Sequence, residues 1–372
     1  MSNDSLLQSF GEKIGTELCG LYRSFGYVPY KMNKFEEYDL YASHKDFLSS
    51  DRVLTFTDIS GKLMALKPDV TLSIVRNTRD DVRGAQKVYY TENVYRAAKG
   101  SSSFKEILQS GVECIGEIDH YLISETLLLA AQSLLKISGN YSLVISHLDI
   151  LSEAIDRLGV PENCRGQILH LISEKNLHEL AALCTENGAD AAAEEALLRI
   201  LGACGNADAV LSALEELCCA SAAYDQLRAV IGTLKSVGFE AQLRIDFSLV
   251  SDMNYYNGIV FKGYVDGVPV SVLSGGQYDR LMEKMGRKSG AIGFAVYLDA
   301  LERLGNEQQT FDVDMVLLYD DDTDLRTLCN AVQNLTVCGL SVSAQKCRPD
   351  KLNYRQLAAL KGNEVVLLEE NA

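Results

Sequence analysis

Alternating apolar and polar residues come in back-to-back pairs along this chain, and that pairing restricts the fold more than any other feature. RVLTFTDISGKLMAL (52–66) turns at Ser60-Gly61 and reads as a β-hairpin. KVYYTENVY (87–95) and ILQSGVECIG (107–116) are two more extended segments, joined by the Gly/Ser-rich loop KGSSS at 99–103. Period-two patterns return at 241–247, 258–265 and 268–273, with Asp266-Gly267 as a hairpin turn. Hairpins join antiparallel neighbours, whereas parallel strands need long crossovers. The pattern predicts an α+β chain whose largely antiparallel sheet is flanked by helices. Neither a G-x-x-x-x-G-K-[ST] loop nor a G-x-G-x-x-G fingerprint occurs, so the common parallel-sheet nucleotide sites are excluded.

Helical patterns surround these pairs. Leu7, Phe10, Ile14, Leu18, Leu21 and Phe25 predict an amphipathic helix over 4–25, stopped by Gly26 and followed by extended Tyr27-Val28-Pro29-Tyr30. Lys67-Pro68-Asp69 breaks a strand before a helix at 71–78, and a further helix runs from 120 to 137. After the extended YSLVISH (141–147), helical stretches separated by Gly, Asn and Pro follow, AAAEEALLRILG being the strongest by propensity. Gly275-Gly276 precedes a helix at 277–285, and AIGFAVY (291–297) is a short strand. Beyond Gln308-Gln309 the order is strand 313–319, helix 323–335, strand 339–345, a helix near 354–360 and strand 364–368. The expected division is a core of 1–137 and 239–308, a mostly helical insertion at 138–238, and a small C-terminal α/β domain at 309–372.

Charge narrows the partners. With 51 acids against 35 bases the net charge is -16, and no basic stripe is available to replace counterions on a polyanion, so extended nucleic-acid binding is disfavoured. The ten cysteines form no C-x-x-C pair and five histidines are scattered, so no metal site is expected and a reducing compartment fits best. MSNDSLLQSFGEKIG has no signal-peptide pattern, and no apolar run reaches the ~18 residues of a membrane span. The expectation is a cytoplasmic protein, away from membranes and without a cofactor.

Several polar residues interrupt otherwise apolar strands. Asp69 and Thr71 stand at a strand-to-helix break, and Arg96 ends a strand. Gln109 and Glu113 lie four apart on one strand and so share a face. Tyr255 and Tyr256 open another strand, where alternation sends one ring inward. Acids, an amide and tyrosine hydroxyls on one face suit a small zwitterion carrying an ammonium and a polar ring.

Five segments in order resemble the catalytic core of histidyl-tRNA synthetases, and through it the class II aminoacyl-tRNA synthetase fold. They are GYVPYKMNKFEEYDLY (26–41), LKPDVT (66–71), VYRAAKGSSSFKEILQSGVECIG (94–116), LVSDMNYYNGIVF (249–261), and SGGQYDRL (274–281) with AIGFAVYLDAL (291–301). The resemblance covers roughly residues 1–305. It implies that Asp69, Thr71 and Gln109 hold an α-ammonium, while Glu113 and the tyrosine pair face an imidazole.

The departures concern charge. Amino-acid activation sets a carboxylate against the α-phosphorus of ATP, and arginines must neutralise the developing charge. Arg96 stands where the family has one such arginine, but Ser103, Lys105, Ser251, Gln277 and Ala300 stand where it has others, with Arg280 and Arg303 as nearby stand-ins. Each loss costs a few kcal/mol of transition-state stabilisation, and lysine does not reproduce the guanidinium fork. A synthetase-like core without these arginines resembles the regulatory subunits of ATP phosphoribosyltransferase. That resemblance implies a homodimeric core, assembly with a short-form ATP phosphoribosyltransferase catalytic subunit into a hetero-oligomer, no catalysis of its own, and histidine as feedback ligand. The dimer is expected to form through the first helix and the 27–41 segment. A divergent working synthetase and a free-standing histidine sensor are the competing readings.

Overall fold

The computed structural model describes residues 9–43, 53–80, 84–97, 103–218, 221–250, 255–305 and 311–371. They divide into two compact units, Gly11–Arg303 and Leu304–Ala372. Ser251, positions 99–102 of the loop predicted at 99–103 and positions 4–8 of the helix predicted over 4–25 lie outside the described residues.

The larger unit is built on one sheet. Its strands are β1 (Val28–Pro29), β5 (Gln86–Ala97), β6 (Phe104–Gly116), β7 (Tyr141–His147), β8 (Gly205–Asn206), β9 (Leu243–Ile245), β10 (Asn257–Val265), β11 (Leu273–Gln277) and β12 (Gly290–Tyr297). They lie in the order β1-β5-β6-β12-β11-β10-β7-β9-β8. Every pair from β5 across to β7 is antiparallel, as the hairpin patterning requires, and β1–β5 and β7–β9 are parallel. A separate three-stranded sheet, β2 (Phe35–Glu37), β4 (Leu63–Leu66) and β3 (Thr55–Thr57), contains the first predicted hairpin.

Helices cover the sheet where their apolar stripes allow. Phe10–Ser24 buries Ile14, Leu18 and Tyr22. His120–Ile137 has the predicted bounds because Asp119 Oδ1 accepts the Leu122 amide at 2.8 Å, and its leucines face the core. Between β7 and β9 come Leu148–Arg157, Arg165–Ser173, Leu177–Glu186, Ala191–Gly202, Ala207–Cys218 and Ala222–Ser236. The last of these buries Leu227, Val230, Ile231 and Leu234, each contributing about 1.5–3 kcal/mol.

Two expectations are corrected. The strand predicted at 268–273 lies instead at β11, and the following helix is only Asp279–Lys284. Gly275-Gly276 is therefore inside a strand rather than ahead of a helix. The reason is crowding: a Cβ at Gly275 would stand 2.4 Å from the Gly293 carbonyl on β12.

The smaller unit has β13 (Val313–Leu318), β14 (Val342–Gln345), β15 (Tyr354–Lys361) and β16 (Glu364–Glu370), ordered β14-β13-β15-β16. Helix Leu325–Val337 packs Leu328 against Met315, Leu317, Ala358 and Leu360. The helix expected near 354–360 is strand β15. That strand gives Ala358 and Leu360 to one apolar cluster and Tyr354 and Leu357 to another, so its sequence loses the alternation of a half-buried strand. Gly362-Asn363 then turns it into β16, with Gly362 at φ 60 and Lys361 paired to Glu364.

Candidate functional site

The seven residues singled out from the sequence, Asp69, Thr71, Arg96, Gln109, Glu113, Tyr255 and Tyr256, all line one cavity of about 200 Å³ in the larger unit. Strand pairing explains the convergence. β5 and β6 pair across their whole length, and β6 pairs with β12 so that Glu113 lies beside Gly293 and Gln109 beside Tyr297. The break after β4 brings in Asp69 and Thr71, and the residues leading into β10 bring the tyrosines.

Glu113 sits at the floor, 2% exposed. Thr71 Oγ1 donates to its Oε1 at 2.7 Å, and the Tyr278 hydroxyl donates to its Oε2. Burial pushes its carboxyl up to about 8; those two hydrogen bonds oppose the shift and the charge of Asp69 adds to it. Near neutral pH the group is mostly neutral, able to donate one hydrogen bond as well as accept. The glycine beside it is a steric requirement: a Cβ at Gly293 would lie 1.8 Å from Glu113 Oε2.

Asp69 is also pushed up by burial, with Arg96 holding it back. Its Oδ1 accepts the Leu72 amide at 2.9 Å, at the start of helix Thr71–Asn77, while Oδ2 lies 3.6 Å from Arg96 Nη2. Arg96 Nε donates to the Pro68 carbonyl at 2.8 Å. Among the described residues lining the cavity, Arg96 is the one basic side chain, and it is already engaged by the strand-to-helix break. Gln109 is 2% exposed, and its Nε2 has no hydrogen-bond partner. A buried donor without an acceptor is costly, and a ligand acceptor at this wall would satisfy it.

Both tyrosines of the pair line the cavity, against the expectation of a single inward ring. β10 begins only at Asn257, so strand alternation does not govern them. Their ring centroids are 4.4 Å apart, and Tyr255 lies 5.8 Å from Tyr278. Tyr90, Tyr278, Tyr297 and Ser274 also line the wall and were missed from the sequence. Tyr90 was within reach, lying six residues before Arg96 and so on its face of β5.

The positions that replace arginines do not restore cationic character to this cavity. Gln277 Oε1 accepts the Ile259 amide at 3.0 Å and serves the backbone. Ser103 and Lys105 are exposed, Lys105 lying opposite Arg96 in the β5–β6 register. Ala300 lies in the turn Leu298–Leu301. Arg280 does not line the cavity, and the side chain of Arg303 is outside the described residues.

Comparison with known proteins agrees with this fold. The family model described as Histidyl-tRNA synthetase matches residues 9–301. A Clostridium kluyveri protein named ATP phosphoribosyltransferase regulatory subunit is 28% identical over 356 residues, covering 91% of this chain and 90% of its own length. Histidyl-tRNA synthetase from Nostoc sp. PCC 7120 superposes with a TM-score of 0.78 at 17% identity, covering 95% of this chain and 90% of its own. A chain of the ATP phosphoribosyl transferase (HisG:HisZ) complex from Thermotoga maritima gives a TM-score of 0.63 at 18% identity, covering 78% of this chain and 97% of its own. With its match over 9–301 and its largely antiparallel sheet, the chain belongs to the histidyl-tRNA synthetase family.

Proposed function

We propose that this chain is the regulatory subunit of ATP phosphoribosyltransferase, required for the first step of histidine biosynthesis, and that histidine in its cavity takes part in feedback inhibition. The observation that carries the reading is the make-up of the cavity wall: two acids, Asp69 and the mostly neutral Glu113, beside a single guanidinium, Arg96. Such a wall suits an amino acid. It leaves the phosphates of ATP without the cations their transfer chemistry needs. The volume of about 200 Å³ is also below the ~300–1,000 Å³ typical of pockets for drug-sized ligands. The Clostridium kluyveri relative is named for this regulatory role, and the Thermotoga maritima neighbour comes from an assembly of the same transferase.

In this reading Asp69, Thr71 and Gln109 hold the α-amino end of histidine, with Arg96 beside them for its carboxylate. Glu113 and the tyrosines face the imidazole, and the neutral Glu113 carboxyl can donate to a ring nitrogen. The chain performs no chemistry of its own. It joins a short-form catalytic subunit in the cytoplasm, and histidine shifts the assembly by preferring one of its arrangements. Purified chain mixed with a short-form catalytic subunit should co-elute with it, raise its transferase activity and make that activity histidine-sensitive. Histidine-dependent ATP–pyrophosphate exchange by the purified chain alone would sink the proposal in favour of a working synthetase.

A further inference from the structure

The cavity is hollowed by a gradient of side-chain size along its strands. Residues opposite one another in register share a face of the sheet, so β11, β12 and β6 present their side chains to the cavity in rows. The innermost row is Gly276, Gly293 and Glu113, and the next is Ser274, Ala295 and Gly111. These rows carry little bulk, and neighbouring rings lean into the space they leave. A Cβ at Gly111 would stand 2.7 Å from the Tyr90 hydroxyl, and one at Gly276 would stand 2.9 Å from Tyr256 Cδ1. The third row breaks the pattern. On its cavity face β12 runs Gly293, Ala295, Tyr297, and the tyrosine stands beside Gln109. Glu113 and Gly293 are buried, whereas Ala295 and Tyr297 are half-buried, so the cavity deepens toward Gly293 and opens toward Tyr297.

Tyr297 lines this mouth from β12, and Tyr256 lines it from the residues before β10. The two phenols feel one another: after burial, the charge on Tyr297 is the largest influence raising Tyr256, and it raises Tyr90 as well. With the imidazole of histidine at Glu113 and the α-amino group at Asp69, Thr71 and Gln109, the carboxylate is the end nearest the mouth. A group joined to that carboxyl continues toward the third row, which Tyr297 fills. A ring fixed in a packed wall rejects a longer ligand by overlap, the repulsive half of specificity.

We propose that Tyr297 sets the length of ligand the cavity accepts: it closes the β12 side of the mouth, so the free amino acid fits and forms extended at the carboxyl, such as peptides, esters and acyl phosphates, are refused. This rests on the histidine reading given above and names the residue that limits the ligand.

Calorimetry on the full chain compares histidine with the dipeptide histidyl-glycine, which keeps the imidazole, the α-amino group and a carboxylate but moves the carboxylate outward. The variants are Tyr297→Ala and the milder Tyr297→Leu, with Tyr297→Phe retaining the ring, and a thermal melt accompanies each. Parent and Tyr297→Phe should prefer histidine by about a hundredfold or more, and truncation should cut that preference about tenfold or more by tightening the dipeptide. A merely structural role would weaken both ligands alike and leave the ratio unmoved. An unchanged ratio in the truncated variants, or a parent that holds both ligands equally, overturns the length limit while leaving histidine binding intact. Loss of the preference in Tyr297→Phe overturns the assignment to the ring. A parent that binds neither ligand sinks the histidine reading and this inference together.

Discussion

Glu113 and Gly293 form a pair in which one residue exists to make room for the other. Replacing Gly293 with Ala puts a methyl where the Glu113 carboxylate lies, so the acid must turn away from Thr71 and Tyr278. Histidine affinity, measured by calorimetry, should fall about tenfold or more, as expected for lost hydrogen bonds to a positioned acid. Equal affinity in the variant would remove Glu113 from the site. The acid also leaves a mark on stability. Its carboxyl titrates near 8 in the folded chain and at about 4.3 in an unfolded one. Between those values the folded state keeps a proton that the unfolded state has released. Stability from this group is therefore lost as pH rises through that window and is level above it. Glu113→Gln should flatten the pH dependence of the urea midpoint between about pH 5 and 8, by up to a few kcal/mol; parallel curves would contradict the burial argument. Elsewhere Lys67, 1% exposed, is neutralised by Glu92. Glu92→Ala should cost about 3–5 kcal/mol in chemical denaturation by leaving that ammonium buried and alone.

Helix Thr71–Asn77 links the cavity to a distant loop. Its first turn carries Thr71 and is capped by Asp69, while Arg287 Nη2 holds its far end, donating to the Val75 carbonyl at 3.0 Å and the Thr78 carbonyl at 2.6 Å. Arg287→Ala should lower stability by about 1–2 kcal/mol in denaturant titration and weaken histidine binding as well, since the capped helix carries the ligand-facing residues. An unchanged midpoint would show the cap to be idle. Elements whose pattern is local were legible before the structure: helix His120–Ile137, whose start the structure shows capped by Asp119, and the hairpin of β3 and β4, marked by Ser60-Gly61. The elements that could not be read are those whose shape is set by neighbours. β15 packs apolar residues in two clusters and imitates a helix in sequence, and Gly275-Gly276 resembles a stop until β12 is known to press on it. For the site, face-sharing on β6 brought Gln109 and Glu113 together correctly, but Tyr278 and Tyr297 reach the cavity only through strand order, which no local pattern encodes.

At the scale of the whole molecule, an acidic chain carries a synthetase fold. Its net charge of -16 opposes the approach of any long polyanion, and the effect is strongest at low salt where screening is weakest. Filter binding should accordingly retain no tRNA at about 0.15 M salt, with no gain on dilution; retention that rises steeply as salt falls would reveal a basic surface not expected from the sequence. The cavity also carries its own signal. The chain has no tryptophan, and Tyr90, Tyr255, Tyr256, Tyr278 and Tyr297 surround the place where a ligand would rest. Its ultraviolet emission comes from tyrosine alone, so a molecule settling among those rings should dim or brighten the protein without any dye or label.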